Sequence, residues 1–416
     1  MKNQKGITLV ALIITIIILL ILAGVVLNMA INNGGLFTKT QESVDIYVQA
    51  EVNEQEKFRI AEEEIDKWLN GGPSAEMKNN FIFIMDIPDG NKTYSLNIKS
   101  GTVDLKIDWG DGQTSVVTAY NDANRSHTYA SAGVYTVKVS GIASNAFSFQ
   151  NEIRLISFIS GFPEGMCPNA TDLRYIFQGC TNLTGSIPEG LFANCPLVRY
   201  FDNAFFGCTS LTGSIPEGLF ANCSDVINFT NVFDSCRNLT GNIPEGLFAN
   251  CPDVVRFDGA FNSCNNLTGS IPEGLFANCS KVTMFNLVFG NCNNLTGTIP
   301  EGLFSSCTLV TTFNNAFSTC RNLTGSIPEG LFANCPLVTN FHGVFTLCDN
   351  LTGSIPEELF ANCPLVTDFA QTFMMCTKLT GSAPQLWNIA GVTNYSQCFN
   401  SCTGLSNYTS IPSGWK

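Results

Sequence analysis

The chain has 416 residues, 21 Lys and Arg against 34 Asp and Glu, and a formal net charge of −13. That acidity argues against a nucleic-acid partner, whose phosphates it would repel. A hydrophobic content of 45% excludes wholesale disorder, and the length leaves room for more than one folded part. Lys2 and Lys5 precede an uncharged apolar run from Ile7 to Met29. About 20 such residues suffice to span a bilayer as a helix. Positive charge ahead of the run predicts a cytoplasmic N-terminus with everything downstream outside the cell. A cleaved secretory signal is the alternative, but the run is long for one and no A-x-A site follows it.

Within the first residues, Lys5-Gly6-Ile7-Thr8-Leu9-Val10 resembles a type IV prepilin leader. The resemblance implies cleavage after Gly6 and methylation of Ile7, and with them pilin-like subunits as possible partners. Ala11 stands where pilins carry the glutamate that docks subunits, so membrane insertion is implied more directly than filament assembly. Residues 1–35 are read as leader and membrane helix. Thr40 to Leu69 carries one apolar stripe including Val44, Val48, Phe58, Ile65 and Trp68, which predicts an amphipathic stalk helix. Gly71-Gly72-Pro73-Ser74 ends it, so residues 36–74 are stalk and linker.

Residues 75–142 change to strand patterning in Phe81–Ile84, Tyr94–Ile98, Val103–Trp109 and Val134–Val139, as expected of a small antiparallel β-sandwich. Asp108-Trp109-Gly110-Asp111-Gly112 with His127-Thr128-Tyr129 resembles a PKD-type immunoglobulin-like domain, which implies a spacer or contact module. Asp108 and Asp111 fit a hydrogen-bonded turn better than a calcium site.

From residue 143 to 416 the chain is predicted to be a solenoid. Seven blocks of 28 residues, Leu183 to Lys378, repeat N-L-T-G-S-I-P-E-G-L-F-A-N-C-P-x-V-x-x-F-x-x-x-F-x-x-C. One block cannot bury its own apolar residues, so stacked neighbours must build a continuous core. Degenerate copies at both ends act as caps and bring the total to about nine coils, a rod of about 43 Å at the spacing of paired strands. Leu183–Ile187 and Val198–Phe201 are expected as short strands in each coil. The runs Val338-Thr-Asn-Phe-His-Gly-Val-Phe-Thr-Leu-Cys and Val392-Thr-Asn-Tyr-Ser-Gln-Cys-Phe-Asn-Ser-Cys are similar to BspA-type leucine-rich repeats of bacterial surface proteins. That resemblance implies adhesion or recognition of an extracellular protein or glycan.

Chemistry has little to work with. His127 and His342 are the chain's two imidazoles, and neither a phosphate-cradling loop nor H-E-x-x-H is present, so no catalytic residues, cofactor or metal are expected. The 18 cysteines form two ladders advancing by 28 residues, without C-x-x-C pairs. Buried apolar thiols are the first reading; disulfides stay open for an exported protein. Glu189, Glu217, Glu245, Glu273, Glu301, Glu329 and Glu357 recur after Pro and suggest an acidic stripe, either a copied corner or a cation site. Ligand-binding candidates are the positions that vary from block to block: Tyr200, Asn228, Arg256, Met284 and Asn340 before the constant Phe, and Asp202, Asp258, Asn286, Asn314 and His342 after it. Stacking should align both series into an exposed strip, although drift at unconstrained sites would give the same variation.

Overall fold

The fold was analysed in a computed structural model, which describes residue 59 and residues 75–416. Residues 75–416 belong to one compact unit. The apolar run from Ile7, the processing site Gly6-Ile7 and, apart from residue 59, the stalk from Thr40 lie outside the described residues. Among those that are described, no helix is long and apolar enough to cross a membrane.

A short helix α1 (Ala75–Asn79) leads into β1 (Phe81–Ile87), β2 (Thr93–Ser95), β3 (Asn97–Ile98), β4 (Val103–Asp108), β5 (Thr114–Val117), β6 (Ser126–Thr128), β7 (Gly133–Ala143), β8 (Phe147–Ser148) and β9 (Leu155–Phe158). Five of these make an antiparallel sheet in the order β5-β4-β7-β1-β9. The four runs predicted from sequence all lie on strands. The expected second layer is not a full sheet, however, but two separate two-stranded ribbons, β2-β6 and β3-β8. Gly141 shows why the long strand β7 can bend beside β4: its φ is +93°, and a Cβ there would meet the Asp104 carbonyl.

Strand β1 is buried on both faces, and β9 covers its second edge, pairing Phe83 with Phe158 and Met85 with Leu155. Phe81, Phe149, Phe158 and Phe162 then meet Phe177 and Phe192 of the first coils, and one apolar core continues from the sheet into the rod. Fully burying a phenylalanine is worth roughly 1.5–3 kcal/mol.

The rod corrects the expectation of strands in every coil. Its parallel pairing consists of single-residue bridges, a ladder from Asp172 through Tyr200, Asn228, Arg256, Met284, Thr312, Asn340 and Asp368 to Asn394 and one bridge between Ser354 and Thr380 on the other side, while most of the rest of each coil is turn. Glycine explains the loss on the Leu183–Ile187 side. Gly185 and its counterparts Gly213, Gly241, Gly269 and Gly297 all have φ near +75°, a left-handed conformation that interrupts extended backbone.

After each bridge the chain turns tightly, and its amides sort by direction. The N–H groups of Phe201, Asn203, Phe205 and Gly207 donate forward to the carbonyls of Asn228, Thr230, Val232 and Asp234, and later coils repeat the pattern. Asn203, Asn231, Leu287, Asn315 and Gln371 reach this arrangement with φ of +53° to +58°, as do Gly259 and Gly343 at +60°. The carbonyl-bearing end is capped by Lys99, whose ammonium donates to the Asp172 carbonyl and lies 4.0 Å from the Asp172 carboxylate. Positive charge at the carbonyl end of aligned peptide dipoles is favourable, as at a helix C-terminus. At the other end Trp415 accepts from the Phe399 amide and stacks on Tyr395, centroids 4.9 Å apart.

Three columns of phenylalanine fill the rod. Phe192, Phe201 and Phe205 each stack on their equivalents one coil on, with centroids 6.0, 5.8 and 5.5 Å apart. All 18 cysteines are free and buried between them. The second ladder makes regular hydrogen bonds: Cys208, Cys236, Cys264 and Cys292 each donate to a Phe carbonyl at 3.0 Å. Burial pushes their thiol pKa values up.

Candidate functional site

The bridge ladder sets the geometry of the candidate strip. Tyr200, Asn228, Arg256, Met284 and Asn340 are themselves rungs, so their side chains stand one coil apart in a line. Buried Phe201 and its equivalents face inward between them and the second series, Asp202, Asp258, Asn286, Asn314 and His342, in keeping with the alternation of extended backbone. The strip is thus assembled from both series as the repeat phase predicts. Its exposure is uneven. Arg256 is exposed and most others are half-buried, whereas Asp202 and Asp258 are each only 8% exposed, which corrects the expectation that this slot lies open.

Side chains along the strip hold one another. Arg256 Nε pairs with Asp258 Oδ2 at 2.7 Å, and Asp258 Oδ1 accepts from Asn286 Nδ2 at 2.6 Å. Asn286 Oδ1 accepts from the Thr312 hydroxyl at 2.7 Å, joining a third coil. Asn228 Oδ1 accepts from the Thr230 amide and hydroxyl, and Asn340 Oδ1 from the His342 amide at 2.7 Å. Bonding of this kind fixes rotamers before any partner arrives, which lowers the entropic cost of binding.

Asp202 is the exception in the chain of partners. Its Oδ1 is buried with no hydrogen bond, and burial raises its pKa to about 6 despite the attraction of Arg174 and Arg256. Arg174 is engaged elsewhere, bonded to Asp172 at 2.7 Å with its guanidinium 5.2 Å from the Tyr200 ring centre. Asp172 and Arg174 extend the strip by one coil and were missed from the sequence. Counting back 28 residues from Tyr200 and Asp202 finds them.

The two histidines have structural neighbours. His127 Nε2 lies 2.8 Å from Asp111 Oδ2 and stacks on Trp109 at 5.2 Å, while Tyr129 Oη donates to the Trp109 carbonyl. Burial would raise the Asp111 pKa, but hydrogen bonds from His127 and the Gln113 amide outweigh it and leave it lowered. Asp108 accepts from the Gly110 amide, the turn expected for this pair of aspartates. His342 Nδ1 is 3.8 Å from Asp368 Oδ1, too far for a hydrogen bond.

The repeated glutamates are seated on the next coil. Glu273 and Glu301 accept from the amides of Gly302 and Gly330 at 3.3 and 3.1 Å, and a Cβ on either glycine would fall 2.6 Å from the carboxylate oxygen. This coupling of Glu to the following Gly accounts for the P-E-G motif without a cation. Among the described residues, no cluster of His, Cys, Asp or Glu is arranged to hold a metal.

Comparison with known proteins gives two matches by family. Residues 1–27 match the prokaryotic N-terminal methylation motif. Residues 144–273, 171–327 and 304–411 match the family described as Mycoplasma protein of unknown function, DUF285. Among solved structures, the chain is similar to the Arabidopsis receptor kinase HAESA in complex with the peptide hormone IDA and the co-receptor SERK1, at 22% identity and a TM-score of 0.35 over 51% of this chain and 31% of that one. The HAESA leucine-rich repeat ectodomain with an N-terminally extended IDA peptide gives 20% identity and a TM-score of 0.31, over 51% and 36%. The chain therefore spans about a third of the length of these receptors. No curated protein matches the chain in sequence.

Proposed function

The chain belongs to the family described as Mycoplasma protein of unknown function, DUF285, matched over residues 144–411, and we propose that this member is a non-enzymatic recognition protein displayed at the bacterial cell surface. The observation that carries the proposal is the bridge-ladder strip. Its rungs vary in chemistry from coil to coil while the buried columns beside them do not, and its side chains are held in place by one another. Such a surface suits an extracellular protein better than a glycan, because aromatic, cationic, thioether and carboxylate groups are interspersed along it among amides. Anchoring by the N-terminal membrane helix with the rod outside, and a spacer role for the sheet region from residue 75 to 142, complete the reading. The methylation motif and the resemblances to BspA-type repeats and PKD-type domains support it.

The test is capture of a partner from extracellular matrix and envelope extracts, followed by replacement of Tyr200, Arg256, Met284 and His342 together with Ser. Loss of the captured partner by the folded variant is the expected result. Equal binding by variant and parent refutes the strip as the recognition face.

The same motif favours a second reading, a minor pilin-like subunit of a filament or secretion apparatus. Mass spectrometry of the mature N-terminus separates the two when combined with fractionation. Methylated Ile7 in sheared filaments supports the subunit, and retention of the chain in the cell membrane supports the anchored receptor.

A further inference from the structure

A groove of about 980 Å³ runs along the rod from Gly165 to Asn278, on the corner formed by the A-N-C-P segments and apart from the bridge ladder. Small side chains, Ala193, Ala221 and Ala249, leave its floor open, and Pro196 and Pro252 give it an apolar border. Its polar groups are asparagines repeated once per coil. Asn194, Asn222, Asn250 and Asn278 each donate one amide hydrogen to a backbone carbonyl of the preceding coil, at 2.8–2.9 Å. Those bonds fix each side chain and leave its Oδ1 and second amide hydrogen for a ligand. The groove ends where the sequence changes, since the next block has Ser305-Ser306 in place of Ala-Asn.

We propose that this groove binds a neutral glycan in extended form, one pyranose unit to each asparagine. Three features select that class. A carboxamide offers an acceptor beside a donor, the complement of two adjacent sugar hydroxyls, and the alanine and proline surface receives the C–H face of the ring. Charge comes next: the lining holds one ionisable residue, the carboxylate Glu164, and no cationic side chain, while Asp253 beside it is paired with Lys281, so on a chain of net charge −13 nothing in the groove attracts an anionic polymer. Spacing is the third. The coils are stacked at the spacing of paired strands, about 4.8 Å, close to the advance of a pyranose along an extended glycan. A peptide strand advances only about 3.3 Å per residue, so its units do not fall one to a coil.

The site shares no residue with the bridge-ladder strip, so its fate is separable from the function proposed above. The full-length protein is applied to an array of neutral, amino and acidic glycans, and the strongest neutral tetrasaccharide is then titrated by calorimetry. Saturable binding to neutral glycans is expected. Ala221→Phe or Ala249→Phe, both exposed positions that fill the groove while keeping the backbone carbonyls that accept from Asn250 and Asn278, should weaken it at least tenfold with an unchanged melting temperature. Ala333→Phe, the same slot beyond the end of the groove, should leave binding intact, as should the four-residue Ser variant of the strip. No neutral ligand on the array, binding to acidic glycans alone, or full affinity in Ala249→Phe would each overturn the proposal.

Discussion

Replacing Phe289 by Ala tests the stacked core most directly. The ring is fully buried, between Phe261 at 5.8 Å and Phe317 at 5.6 Å, with Phe276 tilted against it at 6.2 Å. Backbone bonding does not depend on the side chain, because the Phe289 amide still donates to Ala316 and its carbonyl still accepts from Cys320. The cost is therefore that of a cavity in a packed interior, about 3–5 kcal/mol for Phe→Ala. Coils stabilise their neighbours in a solenoid, so the loss falls on the central stack rather than on a fraying end. Urea unfolding followed by circular dichroism should show a lower midpoint, with Phe289→Leu costing less than half as much. An unchanged midpoint for the Ala variant would mean that the aromatic columns do not hold the coils together.

Other consequences are open to simple measurements. Asp202 binds its proton more tightly when folded, since burial raises its pKa to about 6, so its contribution to stability is full below the unfolded value near 4 and is lost as pH rises through 6. Asp202→Asn should flatten that fall and raise stability at pH 8 by about 1–3 kcal/mol; a parallel pH profile in both proteins would refute the assignment. The buried thiols should resist a thiol reagent at pH 8 in the native protein and all 18 should react in denaturant, whereas rapid native labelling would contradict their burial. Gly297→Ala, at φ +76°, should cost about 1–2 kcal/mol. Gly302→Ala should cost less than that, because only the flexible Glu273 carboxylate has to move, and equal melting temperatures would argue against the left-handed turn.

How much was legible in the sequence follows from what each residue reports. The 28-residue phase located the phenylalanine and cysteine columns, because a buried slot accepts few side chains and repeats them. It also aligned Tyr200 with Asn228 and Arg256, since equal slots must stack. Apolar alternation located β1, β4 and β7, but not β9, whose Leu155–Phe158 run is short and pairs with a strand some 70 residues earlier. The depth of Asp202 and Asp258 was hidden as well. Carboxylates are read as exposed, and only the packing of adjacent coils shows that these two are enclosed.

The slot after Asp202 teaches more, because it varies for a reason that period analysis does not reveal. Asn203, Asn231, Gly259, Asn315 and Gly343 differ from coil to coil as the slot before them does. All are left-handed, and their amides reach the next coil only in that conformation. Asparagine and glycine tolerate it at low cost, whereas a larger side chain does not. Leu287 occupies the slot at φ +54° and is 36% exposed, so its burial is partial while the backbone strain is borne in full. Leu287→Asn should thus stabilise the protein by about 1 kcal/mol. The shift in urea midpoint is the readout, and a loss of stability would show that contacts of the leucine side chain outweigh its backbone strain.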